Sequence, residues 1–248
     1  YKEISAQSTS YTEVSDATRG EILDVNGKEL AVNKTAYNIV INKIYVAEDS
    51  LNDVIYNLLN LCSVSNTKWI DVLPISIVNN SVEFDENSEN EIAYITGESM
   101  LNDSELSDAS QVLNALSKRY NADKIEELDK MRDVVSVRYN MEKSGYSYSK
   151  AYVFAENISQ DAVAIISERT QTTPGVEIRV TNERVIKNGT LIPHILGTVG
   201  SLSAEEYEQN KDKGYEIDDV IGKFGIESAL EDYLRGQSGE KTIVKDEA

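Results

Sequence analysis

The apolar residues between positions 51 and 62 recur at the spacing of one helical face: Leu51, Val54, Ile55, Leu58, Leu59 and Cys62. Ser50 stands where a helix cap belongs, so the pattern predicts a helix from that point. A second helix, opened by Asp103 or Ser104, carries Leu106, Ala109, Leu113, Leu116 and Tyr120 along one side. A shorter one is expected near 122–132, and Ser159 caps another that runs to the region of Arg169. Strands are predicted over Thr35–Ile44, near 134–141 and over Ala151–Ala155. Pro174-Gly175 then turns the chain into a strand in which Val176, Ile178 and Val180 share a face.

The sharpest local signal is Asn26-Gly27, which predicts a two-residue type I′ hairpin with positive φ at both positions. In that register Ile22 faces Ala31 and Leu23 faces Leu30, so both surfaces are partly apolar and the hairpin belongs to a larger body. Residues 79–91 (NNSVEFDENSENE) read as an acidic, solvated loop, 143–151 as a tyrosine-rich turn, and 1–16 as a polar leader strand or loose linker. Together these elements give an α+β chain.

Charge narrows the partners. Twenty-four basic residues against 43 acidic ones leave a net −19 over 248 residues. Nucleic acid and anionic membrane surfaces reward basic patches, so neither is expected as the main partner. No apolar run approaches the roughly 18 residues of a membrane span, and no signal-peptide pattern is present. The chain begins at Tyr1, which suggests that an upstream segment has been removed. The single cysteine, Cys62, forbids an internal disulfide and lies on a helical apolar stripe, where a small buried hydrophobe is expected.

A search for chemistry finds little. One histidine, His194, rules out a His-pair metal site, and its expected role is a hydrogen-bonded place at a strand or turn. Asp24-Val25-Asn26-Gly27 is a poor calcium loop because its glycine falls too early, and a hairpin explains all four residues. No phosphate-binding glycine loop occurs, and neither metal nor cofactor is expected. S-x-x-K tetrads begin at Ser65, Ser147 and Ser238, but K-T-G is missing, so none is read as an acylation site and the chain itself is not expected to be an enzyme.

Three stretches carry a family likeness: RGEILDVNGKELA from Arg19, ERVIKNGTLIPHILGTVG at 183–200, and GYEIDDVIGKFGIESALEDYLRGQSG at 214–239. They resemble, in the family's order, the N-terminal pedestal or dimerisation domain of class B penicillin-binding proteins. The matching positions include Arg19, Gly20, Ile22, Asp24, Gly27, Leu30 and Ala31. Later in the chain they include Pro174, Gly175, Arg184, His194, Gly197, Gly200, Gly222, Gly225, Glu227, Leu234, Arg235, Gly236 and Gly239. The segment NISQDAVAIISERTQTTPGVEI is similar to the family's helix–strand unit. Two departures stand out: Arg184-Val185-Ile186-Lys187 replaces the usual Arg-x-Tyr-Pro, and Val25 replaces an arginine often found in the hairpin.

The resemblance implies an elongated α+β domain with a mixed-strand base, built from 17–45 and 150–239, and a helix-containing head inserted at 46–149. Residues 1–16 would be a leader after a membrane anchor missing from this chain, and 240–248 the start of a linker to an absent transpeptidase domain. Its implied place is the outer face of the cell membrane. Implied partners are that transpeptidase domain, a polytopic glycan polymerase of the shape, elongation, division and sporulation group, and a homodimer mate. The wording from Asp219 to Glu227 leans toward the elongation branch. Arg19 is expected to pair with Glu227 or Asp24, joining distant chain segments. Gly20, Gly222, Gly225 and Gly236 are expected to allow close backbone approach or positive φ. The alternative is a free-standing extracytoplasmic module that binds glycan or protein through some of its 14 tyrosines.

Overall fold

The computed structural model describes residues 9–15, 17–103, 105–170, 173–187, 193–215, 219–237 and 239–245. Ser104 and Ser238, both singled out above, lie outside them, as do residues 1–8 of the leader. The chain divides into two compact units, one from 1–36 with 180–248 and one from 37–179.

The first unit opens with β1 (Thr9–Ser15) and the hairpin strand β2 (Ile22–Leu23), whose partner β3 (Glu29–Ile41) runs on into the second unit. Ile22 faces Ala31 as expected, but a bulge follows and Leu23 faces Glu29 instead of Leu30. The reason is the turn. Gly27 alone has positive φ (+80°), Gly27 N–H donates to Asp24 O, and Asp24 N–H donates to Lys28 O. That is a three-residue loop with a glycine bulge, not a two-residue type I′ turn. Asp24 stabilises it by accepting from Asn26 N–H and Lys28 N–H at 2.8 Å each.

The second unit holds the core. Helix α1 (Leu51–Val64) buries all six residues of its stripe, although the Ser50 hydroxyl bonds Ala47 O and leaves the helix N–H groups uncapped. The stretch read as a loop, 79–91, instead holds the turn and second strand of a hairpin, β5 (Ser81–Phe84), paired with β4 (Ile75–Val78) just before it. Its two-residue turn has Asn79 and Asn80 at φ +51° and +65°, a left-handed conformation that asparagine tolerates. Helix α2 (Glu89–Thr96) follows, then α3 (Ala109–Arg119), capped by Asp108 well after the expected start.

Helix α4 (Leu128–Ser144) overturns the expected strand at 134–141. Its valines favour strands locally, yet Val134, Val135, Val137, Tyr139 and Met141 are all buried, and packing outweighs a propensity of a few tenths of a kcal/mol per residue. Gly145 at φ +74° ends the helix. Buried Arg132 ties α4 to the start of β4 and the chain before it through Ile75 O, Asp71 and Leu73 O. Strand β6 (Tyr152–Ala155) pairs with β3, and α5 (Gln160–Thr170) begins with Ser159 accepting from Ala162 N–H. Cys62 is buried, and burial pushes its thiol up to about 11. The expected edges at 45/46 and 149/150 fall inside this unit, because Ile41, Phe154 and Ile166 belong to its core.

Strand β7 (Val176–Ile186) pairs with β3 and leads back to the first unit, with Val176 buried but Val180 64% exposed, so its apolar alternation does not mark one covered face. There the chain forms α6 (Pro193–Leu196), β8 (Thr198–Ser201), α7 (Ala204–Asn210), β9 (Val220–Phe224), α8 (Gly225–Ala229), α9 (Glu231–Leu234) and β10 (Gly239–Lys245). Strand β8 pairs with β9, and β10 pairs antiparallel with β1. Among the described residues no helix is long and apolar enough to cross a membrane.

Candidate functional site

Within the first unit, four charged side chains from three chain regions meet. Arg19 precedes β2, Arg184 lies on β7, and Glu227 and Glu231 project from α8 and α9. Glu227 has no exposed surface. A buried carboxylate is tolerable only when paired and hydrogen-bonded, and here each oxygen has its own guanidinium. Arg19 Nε donates to Oε2 at 2.7 Å and Arg184 Nε to Oε1 at 2.8 Å.

The second carboxylate completes the clamp. Arg19 Nη2 reaches Glu231 Oε2 at 2.6 Å while also donating to Glu227 O at 2.9 Å. Glu231 further accepts from Gly222 N–H at 2.9 Å and the Tyr215 hydroxyl at 3.0 Å. Two cations and two anions balance, so the cluster is neutral as a whole. Burial opposes the charge on Arg19, yet its bonds to Glu231 and Glu227 leave its pKa raised. Burial likewise opposes the Glu231 carboxylate, but Arg19 and Gly222 N–H hold it below the usual range. Desolvation and the bond to Glu231 push the Tyr215 phenol up to about 12.

Backbone contacts lock the same place. Gly20 N–H donates to Leu234 O at 2.7 Å, Arg184 Nη1 donates to Gly20 O at 2.7 Å, and the Asn33 amide donates to Arg19 O. A Cβ on Gly222 would stand 2.2 Å from Glu227 O, and one on Gly236 2.5 Å from Ala17 Cβ, so only glycine fits at either. Gly225, at φ +68°, lets residues 195–197 pack against it. Arg235 stacks on Tyr215 at 3.6 Å and donates to Lys213 O and Gly214 O.

Arg19, Gly20, Arg184, Gly222, Glu227, Arg235 and Gly236 thus gather in this unit around one clamp. Of Arg19's two expected partners, the structure selects Glu227; Asp24 and Gly27 form the hairpin tip instead. Gly200 lies on β8 against the Lys223 side chain, and His194 is exposed on α6, neither in a strand nor in a turn. Glu231, Asn33 and Tyr215 were not singled out. Glu231 had a readable signal: it lies four residues after Glu227, the spacing of one helical face. Of the S-x-x-K serines, Ser65 bonds Leu61 O at the end of α1 and Ser147 faces the Ser149 hydroxyl. Among the described residues no group of His, Cys, Asp and Glu is placed to hold a metal ion.

The family model described as the penicillin-binding protein dimerisation domain matches residues 14–248. The chain belongs to this family. Penicillin-binding protein 2A of Bacillus subtilis is 28% identical over 134 residues, 52% of the chain and 19% of the relative. The peptidoglycan D,D-transpeptidase MrdA of Acinetobacter baumannii is 31% identical over 90 residues, 36% of the chain and 13% of the relative. The matched stretches thus span less than a fifth of these relatives' length.

Solved structures agree on the fold. Penicillin-binding protein 2B of Streptococcus pneumoniae matches 97% of the domain and 37% of its own chain, with TM-score 0.58 and 19% identity. The complex of penicillin-binding protein 2 with MreC from Helicobacter pylori matches 97% of the domain and 33% of its chain, with TM-score 0.51 and 17% identity. The α+β dimerisation-domain fold expected from the three motif stretches is thereby established.

Proposed function

We propose that this chain is the non-catalytic pedestal of a peptidoglycan D,D-transpeptidase of the class B penicillin-binding proteins. It holds the catalytic domain outside the cell membrane and contacts an elongation-type glycan polymerase. The observation that carries this reading is the clamp, which fastens residues 19–20 to residues 222–234 and 184 in one neutral, mostly buried cluster. Such a cluster performs no acyl chemistry. Its arrangement suits a rigid mount, because charge-assisted pairs with fixed geometry resist the small rotations that would misplace an attached domain.

The relatives named as peptidoglycan D,D-transpeptidases support the reading. The Helicobacter structure, solved with MreC, supplies a precedent for a partner protein on a chain of this fold. The second unit, with the long helices α1 and α4, is our candidate for the polymerase contact.

Two experiments test the proposal. Codons following this segment in its gene should encode S-x-x-K, S-x-N and K-T-G in order, and their absence would leave a free-standing binding module as the better account. In a pull-down of the full-length gene product, removing residues 37–179, the whole second unit, should abolish polymerase capture; undiminished capture would refute the assigned surface. Fluorescent penicillin should leave the chain 1–248 unlabelled.

A further inference from the structure

The second unit contains a pocket of about 720 Å³ between the start of α1 and the α3–α4 connection. That size lies within the range of small-ligand and side-chain sites. Five carboxylates line it, from Glu48, Asp49, Asp53, Glu126 and Glu127, against two cations, Lys124 and Arg138. One of the two cations is already engaged, since Arg138 Nη2 is paired with Glu48. The pocket therefore carries a net negative charge, within a chain of net −19, and a concave wall concentrates that field. Tyr56 and Tyr120 add aromatic surface, and Arg138 already lies 5.6 Å from the Tyr120 ring.

A second observation points to an occupant. Asn52 and Arg138 both line the pocket, and each holds a buried polar atom without a hydrogen-bond partner, Asn52 Oδ1 and Arg138 Nη1. The Asn52 amide cannot turn to relieve this, because its Nδ2 is held by Tyr120 O at 2.8 Å and Asn121 O at 3.1 Å. Just under the pocket wall, then, one acceptor and one donor remain unmet. A peptide offers the matching groups, an N–H for the asparagine oxygen and a C=O for the guanidinium, once these side chains shift to bring the two buried atoms to the pocket.

We infer that this pocket docks a lysine- or arginine-bearing peptide segment of a partner protein, with the basic side chains on the carboxylates and the peptide backbone against Asn52 and Arg138. A neutral glycan satisfies the hydrogen bonds but leaves the excess negative charge uncompensated. The inference rests on the pocket alone and holds whether or not the pedestal reading is correct.

The test is fluorescence anisotropy on chain 1–248 with a labelled peptide carrying three lysines, beside the same peptide with glutamines and a tetramer of N-acetylglucosamine. The lysine peptide should bind saturably and weaken about tenfold as salt is raised from about 0.05 to 0.5 M. Glu126→Gln with Glu127→Gln, both exposed residues, should weaken it about tenfold. The control pair Glu89→Gln and Glu98→Gln, exposed carboxylates outside the pocket, should leave it unchanged. Equal losses in both pairs would reveal bulk attraction to an acidic chain and overturn the assignment. Absent lysine-peptide binding, or salt-independent binding of the glycan in its place, would do so as well.

Discussion

Removing Arg19 leaves Glu227, a carboxylate with no exposed surface, facing Arg184 alone. It also strips Glu231 of its cation. Breaking a buried pair from one side is expected to cost about 3–5 kcal/mol, so Arg19→Ala should lower stability by that order in a guanidinium melt. A curve superimposable on the parent's would show the pair to be idle. Gly222→Ala addresses the same place by crowding: its Cβ meets Glu227 O at 2.2 Å, and a loss of about 1–3 kcal/mol is expected from the forced backbone shift. At this scale the sequence was readable where residue type is restrictive, as at Arg19, Glu227 and Gly222. Asn33 and Tyr215 stayed hidden because asparagine and tyrosine have many ordinary surroundings, and only the folded chain shows them touching Arg19 O and Glu231.

The short helices α8 and α9 are held in part by charge, through Glu227 and Glu231, and acid should reveal it. The Glu231 pKa is depressed in the folded state, so its contribution is fully present above the ordinary carboxylate value of 4.5 and is lost as pH falls through the lower folded value. Urea midpoints measured from pH 6 down to pH 3 should therefore drop more steeply for the parent than for Glu231→Gln; parallel profiles would contradict the linkage. In the second unit, Asn80→Ala should cost about 1 kcal/mol, since alanine resists the left-handed φ of +65° that the β4–β5 turn requires. Helix α1 was legible because its six apolar positions fit one face. Helix α4 was not, for its valine-rich middle carries a strand-like local preference that only packing on several sides overrides. The β4–β5 hairpin was not legible because its turn, Asn79-Asn80, and its second strand sit among acidic and asparagine-rich residues whose composition is that of a loop.

At the scale of the molecule, the two units draw on different sources of stability. The second encloses the large apolar cluster, whereas the first is held by the clamp, β8–β9 and β1–β10. Arg19→Ala should accordingly speed amide exchange across β8, β9 and α8 while leaving α1, α3 and α4 as protected as before. Uniform loss of protection in both units would show them to be one cooperative body. The division was only partly legible: the motifs marked both ends of the first unit, but the apolar residues of 37–45 and 150–179 could not announce which core they would join.

The clamp's span in sequence has a consequence for biosynthesis. Arg19 and Glu227 are 208 residues apart, and Arg19 and Glu231 are 212 apart. A ribosome adding about 5–20 residues each second leaves the early hairpin waiting roughly ten seconds or more for its mates. The continuous stretch 37–179 has everything it needs to condense in that interval. Nascent chains should thus pass through a half-finished stage with Arg19 unattended, open to chaperone capture until α8 and α9 emerge.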